Sequence, residues 1–147
     1  MAYWIYVTTS ENWKVTREIK ILGVARRHKN TLALTTKGDR CLIYVKQETV
    51  NKEVIQSKIV AEYEIISDTF VDEKKIFVTP RGMGNEKFDL RLRLKPLRIF
   101  KNPILFKPLI PKLSFIRNKE KWSLRLKGKA MIQIPPADYK LITSGNT

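Results

Sequence analysis

Between residues 88 and 95 apolar and charged side chains alternate without a break: Phe88, Leu90, Leu92 and Leu94 against Asp89, Arg91, Arg93 and Lys95. A helix repeats its faces about every 3.6 residues, so a period of two marks a strand, its apolar side chains turned to a core and a largely cationic row turned away. That row suits either a phosphate backbone or a charged edge that resists aggregation. The same period recurs earlier in the chain. Tyr3–Thr8 separates Tyr3, Ile5 and Val7 from Trp4, Tyr6 and Thr8, and residues 40–46 separate Cys41, Ile43 and Val45 from Leu42, Tyr44 and Lys46. Residues 58–67 set Ile59, Ala61, Tyr63 and Ile65 on a dry face and Glu62 and Glu64 on a wet one. If the first of these strands shares a sheet with residues 40–46, the aliphatic faces form the core. Trp4, Tyr6, Tyr44 and Lys46 then gather on another surface, where rings beside a cation either stack bases or pack beneath helices.

Helices are expected around this sheet. Ser10 offers an N-cap, and residues 11–21 carry Val15 and Ile19 on an apolar stripe. Trp13 lies off that stripe and either borders a cleft or packs at the edge of the core. Beyond Lys95, prolines at 96, 103, 108 and 111 predict short pieces, with 108–111 at most one turn. Asp138, after Pro135 and Pro136, opens a last short helix, and residues 144–147 read as a frayed tail. No repeat, low-complexity stretch or linker divides the chain, so residues 1–143 are expected to form one domain.

Charge narrows the partners. Among 147 residues there are 29 Lys+Arg against 14 Asp+Glu, a net charge of +15. That excess on a chain long enough to bury a core favours a polyanion. The hydrophobic fraction of 43% argues against disorder. No apolar run approaches the roughly 20 residues that span a bilayer, and the chain starts on strand-like residues instead of a charged and apolar leader, so a soluble, cytoplasmic monomer without membrane partners is expected. Cys41 and His28 are each the sole residue of their kind. No intrachain disulfide or cysteine-based zinc site can form, nothing has metal-ligand spacing, and no nucleophile–base pair is visible. Neither cofactor, metal nor catalysis is expected, and Cys41 reads as a buried thiol.

Two basic segments stand out. Arg26, Arg27, His28 and Lys29 can contact phosphate and Asn30 can read a base edge, all shortly before a Gly38–Asp39 turn that leads into a strand. Later, Arg117, Lys119, Lys121, Arg125, Lys127 and Lys129 surround Trp122, which either stacks a base or sugar or latches the C-terminal segment onto the sheet. Between the strands, residues 72–87 hold Pro80, Gly82 and Gly84, which rule out a continuous element, with Arg81 and Asn85 among them. No helix opens after the G-x-G, as a dinucleotide fingerprint requires, and the loop reads as a flap beside a ligand.

Tyr3-Trp4-Ile5, the basic Asn-containing run, the Gly-Asp turn, Arg81-Gly82-Met83-Gly84-Asn85, Phe115, Trp122 and Asp138-Tyr139 occur in an order that resembles the EVE domain, a PUA-like relative of the YTH domain. The resemblance covers nearly the whole chain and is nearest to small stand-alone archaeal members. It implies an α+β fold: a mixed PUA-like β-barrel of about five to six strands, with peripheral helices and a pocket for a flipped, often modified, nucleobase in DNA or RNA. Unstacking a base costs a few kcal/mol and each stacked ring returns about 1–3 kcal/mol, so such a pocket needs aromatic walls and phosphate contacts together. The candidate walls are Trp4, Trp13 and Trp122, and the edge readers Asn12 and Asn30. Arg26, Arg27, Lys29, Lys46, Arg81, Arg117, Lys121 and Arg125 would hold the backbone. Leu22 stands where the resemblance places a tryptophan wall of the base pocket. Two other functions remain open: RNA binding by shape and charge alone, as in accessory PUA domains, and an ASCH-like nucleoside or RNA hydrolase, whose G-x-K-x-x-E-x-R signature is absent here.

Overall fold

The computed structural model describes residues 1–82, 84 and 86–144. Along the chain come β1 (Tyr3–Thr8), α1 (Ser10–Ile19), β2 (Ile21–Val24), a 3-10 turn over Arg26–His28 that runs into α2 (Lys29–Leu32), β3 (Arg40–Val45), and the hairpin β4 (Glu48–Val50) and β5 (Glu53–Ile55). There follow β6 (Lys58–Ile65), β7 (Phe70–Val71), β8 (Leu90–Leu105), a 3-10 segment over Lys107–Lys112, α3 (Ser123–Leu126), β9 (Met131–Ile134) and α4 (Pro136–Ser144). The main sheet is ordered β2-β8-β6-β3-β1-β9, with β7 also on β8. β1 and β3 run parallel and the other pairs antiparallel. This is the mixed, curled sheet with peripheral helices that the resemblance implies. Of the expected tail at 144–147, Ser144 belongs to α4 instead, and residues 145–147 lie outside the described residues, as do Met83 and Asn85 of the flap.

One long strand curls the sheet. β8 pairs with β2 from Val24↔Leu90 to Ile21↔Arg93, and with β6 from Ile65↔Leu94 to Lys58↔Leu105. Pro96 and Pro103 do not break it, contrary to expectation. The register against β6 shifts between Glu62 and Tyr63, where Pro96 lies, and again between Ile59 and Ala61, so irregular pairing absorbs the missing N–H groups and bends the strand.

Alternation alone left open which face is inside. The parallel register sets Trp4 beside Cys41 and Tyr6 beside Ile43, so the first two share the interior with Leu22, Leu92 and Tyr63 and do not form an open aromatic surface. Ile5, Val7, Leu42 and Tyr44 form the opposite face, which the C-terminal segments cover with Phe106, Ile110, Leu113 and Ile142. Both faces of β1 and β3 are therefore buried. Cys41 is buried as expected, and burial pushes its thiol pKa up.

The same cover changes the expected wet residues. Glu62 is buried, accepting hydrogen bonds from Tyr139 and from Arg98 Nε at 3.1 Å, with Arg40 at 4.0 Å. Asp138 pins α4 by accepting from Ser114 N, Ser114 Oγ and Phe115 N. Arg91, expected to face outward, is 1% exposed. Its guanidinium donates to the carbonyls of Phe88 and Lys74, pairs with Asp72 at 3.5 Å and stands 5.5 Å from the Phe77 ring centroid. Arg93 and Lys95 do reach solvent.

Helix α1 is capped one residue earlier than expected, by Thr9, whose Oγ1 accepts from Asn12 N. Its buried residues are Asn12 and Thr16, while Ile19 is exposed, because this helix meets a polar loop backbone and not a purely apolar core. Asp39 closes the other end of the barrel. Behind Gly38, which turns at φ 96°, its carboxylate accepts from Ala2 N at 2.9 Å, Trp4 Nε1 at 3.0 Å and Thr36 N at 2.9 Å. Hydrogen bonds to a charged group contribute about 1.5–3 kcal/mol. Asp39→Ala should therefore lower unfolding stability by about 3 kcal/mol or more, and Trp4→Phe, which removes the indole donor and leaves a cavity where part of the indole packed, by about 2 kcal/mol or more. Urea midpoints at unchanged slope would show this, and a change in slope would mean that the native or denatured state had altered instead.

Candidate nucleic-acid interface

A cavity of about 230 Å³ opens where the end of β1, the start of α1, β2 and the turn before β9 meet. β1 contributes Tyr6 and Thr8, α1 contributes Asn12, and β2 contributes Gly23 and Val24. Arg27 and His28, Lys46, Pro80, Phe88 and Lys129 complete the wall.

Gly23 makes the junction possible. A Cβ there would lie 2.5 Å from Phe77 Cε2 and 2.8 Å from the Phe88 carbonyl oxygen, so no larger residue fits without displacing the loop. The Gly23 carbonyl accepts from Tyr6 Oη at 2.8 Å, tying β1 to β2 across the barrel. Burial pushes the Tyr6 pKa up to about 12, so the hydroxyl stays a donor at neutral pH.

Phe88 adopts the left-handed region at φ 50°. For a bulky residue that conformation costs about 1–3 kcal/mol and persists only where neighbours enforce it. Here Arg91 holds its carbonyl at 3.2 Å, and Arg26 holds the next carboxylate, Asp89, at 2.8 Å. Val78 of the flap is fixed by Asn12. Its amide donates to Val78 O at 2.8 Å and accepts from Val78 N at 2.7 Å, which sets Pro80 on the cavity wall. At the rim, Arg27 Nε pairs with Glu86 at 2.8 Å and its Nη1 reaches Gly128 O at 3.5 Å, bridging flap and turn. Lys46 and Lys129 form no ion pair among the described residues.

Of the residues singled out from the sequence, the fold brings Tyr6, Asn12, Arg27, His28, Lys46 and Lys129 into this cavity. Asn12 acts on the flap backbone and is not free to read a base edge. The three tryptophans do not converge. Trp4 is 1% exposed inside the barrel, Trp13 lies over another groove, edge-on to Tyr63, and Trp122 packs against Phe106 beneath the C-terminal layer. Leu22 is fully buried opposite Leu92 and cannot wall the pocket. Arg26 is drawn to Asp89 and Glu73, while Lys29 and Asn30 on α2 and Arg81 on the flap are exposed outside the cavity lining. Arg117, Lys121 and Arg125 line a separate groove with Phe115, the Arg125 guanidinium 5.8 Å from its ring centroid.

Gly23 and Phe88 are the site residues to which the sequence assigns no ligand role: Phe88 reads there only as one more apolar residue of an alternating strand. A glycine inside a strand does signal a close backbone approach, and Gly23 carries that signal.

Residues 2–145 match the family described as the EVE domain. The chain is 47% identical over 144 residues to a UPF0310 protein of Pyrococcus abyssi, covering 98% of this chain and 99% of that one. The chain belongs to the EVE-domain family. Its fold also matches the crystal structure of human THYN1 protein in complex with 5-methylcytosine-containing DNA, with a TM-score of 0.65 and 12% identity over 99% of this chain and 98% of that one. The YTH domain-containing protein mmi1 in an RNA complex matches at a TM-score of 0.62 and 8% identity, over 99% of this chain and 80% of that one. Within this EVE domain no described helix is long and apolar enough to cross a membrane.

His28 gives the cavity a titratable reporter. Burial, and next the Arg27 charge, lower its pKa below the usual 6.5, with Lys129 adding to the effect and Glu86 opposing it. A depressed folded pKa means that the unfolded chain binds more protons as pH falls below 6.5. This contribution to stability is therefore intact above pH 6.5 and is lost as pH falls toward the folded pKa. Because His28 is the only histidine, NMR should follow one imidazole with a midpoint below 6.5, moving upward in Arg27→Gln. A midpoint at or above 6.5 would contradict the placement.

Proposed function

We propose that this EVE domain is a nucleic-acid-binding module that takes an extruded, modified nucleobase into the Phe88 cavity. The observation that carries the reading is Phe88, held at positive φ in the lining of a cavity to which Arg27, Lys46 and Lys129 also contribute. At about 230 Å³ the cavity is smaller than the roughly 300–1,000 Å³ of drug-sized sites, a size suited to one base with the sugar and phosphate left outside. Those outer groups would meet the rim cations. The apolar contributions of Val24, Pro80 and Phe88 favour a base carrying an added apolar group over its plain counterpart, through burial of the extra surface. The THYN1 complex with 5-methylcytosine-containing DNA and the mmi1 complex with RNA support nucleic acid as the partner class. Binding in this reading is non-covalent, needs no cofactor, and serves a soluble cytoplasmic protein.

Phe88→Gly removes the ring while keeping a residue at ease at positive φ, and so separates recognition from folding. It should weaken binding of a 5-methylcytosine oligonucleotide by about 1–3 kcal/mol and its unmethylated counterpart by less. Lys46→Glu should weaken both alike, because phosphate contacts carry no base information. For single strands the salt dependence should have a log-log slope of about −0.7 per phosphate neutralised. Equal losses in Phe88→Gly for a panel of modified and unmodified strands, or no binding of DNA or RNA at low salt, would contradict the reading. Turnover of nucleosides that persists through repurification would move it to a hydrolase.

A further inference from the structure

A second groove runs between α1 and the bulged part of β8, lined by Trp13, Lys14 and Arg17 from the helix and by Lys58, Phe100 and Lys101 from the strands. No carboxylate lines it. None of its cations forms an ion pair among the described residues, and Glu48, beside its rim, accepts a hydrogen bond from Ser10 Oγ. Trp13 is half-buried, and its ring meets Tyr63 edge-on at 6.2 Å and 75°. A cationic groove with an aromatic side chain is the chemistry that holds single-stranded nucleic acid: the charges follow the backbone and the ring stacks a base of any sequence.

The groove adjoins the base cavity through consecutive residues. Thr9 and Lys46 line the cavity while Ser10 and Val45 line the groove, and Asn12 and Trp13 divide between them in the same way. Neighbouring Cα atoms are about 3.8 Å apart. The two sites are therefore neighbours, and a flexible single strand with one base seated in the cavity can lay an adjoining nucleotide over the groove. An acidic peptide would satisfy the cations but has no need of a half-buried ring beside them.

We infer that this groove is a subsite for a nucleotide flanking the extruded base in a single strand. Trp13 stacks the unpaired flanking base, and Lys14, Arg17, Lys58 and Lys101 take the phosphates. The inference rests on the base-cavity reading for its register. It assigns Trp13 to recognition outside the cavity.

The test titrates the full chain with the 5-methylcytosine mononucleotide and with single-stranded DNA and RNA oligonucleotides carrying one central 5-methylcytosine. Lys14 and Arg17 are exposed on α1, so Lys14→Glu/Arg17→Glu is expected to fold, as circular dichroism would verify. That variant should bind the better oligonucleotide at least about 10-fold more weakly at low salt while mononucleotide affinity stays unchanged. Trp13→Ala should lose about 5- to 100-fold on the oligonucleotide alone. If the charge variant binds the oligonucleotide as the wild type does, or loses the mononucleotide to the same extent, the subsite is wrong while the cavity reading stands. Oligonucleotide binding that depends on the groove but not on Phe88 would leave the groove and remove the cavity. If the wild type prefers an acidic peptide to both oligonucleotides, the assignment of partner is overturned.

Discussion

The close approach at Gly23 is the contact on which the site depends. Three parts of the chain meet there: β1 through the Tyr6 hydroxyl, β2 through the glycine itself, and the flap through Phe77 and the Phe88 carbonyl. Each is secured from behind. Tyr6 is fixed in the barrel interior, and Phe88 is held by the buried Arg91. Asn12 holds Val78 of the flap from the helix side. A side chain at residue 23 would push the loop away from the sheet and open the cavity wall, so the geometry of the cavity follows from the absence of one Cβ.

Charge and shape have separate tasks in this arrangement. The net charge of +15 provides long-range attraction for a polyanion, and Lys46 and Lys129 bring part of it to the cavity rim. Other cations work inside the protein. Arg91 spends its guanidinium on loop carbonyls, Arg26 on Asp89, and Arg98 on Glu62. A count of basic residues therefore overstates the surface free to meet phosphate. In the proposed reading, discrimination among bases falls to the small cavity and its enforced Phe88.

Much of the fold was legible in the sequence. Period-two runs located β1, β3, β6 and the first part of β8, and the order of motifs supplied the family and hence the barrel. The period could not say which face was interior, since in β1 and β3 both faces are apolar and both are covered. That is why the period leaves Trp4 and Tyr6 either on a stacking surface or packed beneath helices, whereas the parallel register turns them into the barrel interior. Pro96 was expected to end a strand, but the irregular pairing with β6 carries β8 past it. The site was less legible. Phe88 read as one more core residue of an alternating strand, because a positive φ enforced by Arg91 is a tertiary fact without a local sequence signal. Tryptophan suits base stacking by residue type, yet its bulk serves the core as readily. The basic run at residues 26–30 was a sounder guide, since Arg27 and His28 do reach the cavity.

The central claim is that a base enters the Phe88 cavity. A backbone and aromatic NMR titration with a single-stranded oligonucleotide carrying a modified base tests it most directly. The account predicts that the largest shifts fall on Gly23, Phe88, Lys129 and the His28 imidazole, in slow exchange for the modified strand and weaker for the plain one, while the buried Trp4 indole is scarcely moved. Shifts confined to the Arg117, Lys121 and Arg125 groove, with the cavity residues silent at saturation, would contradict it.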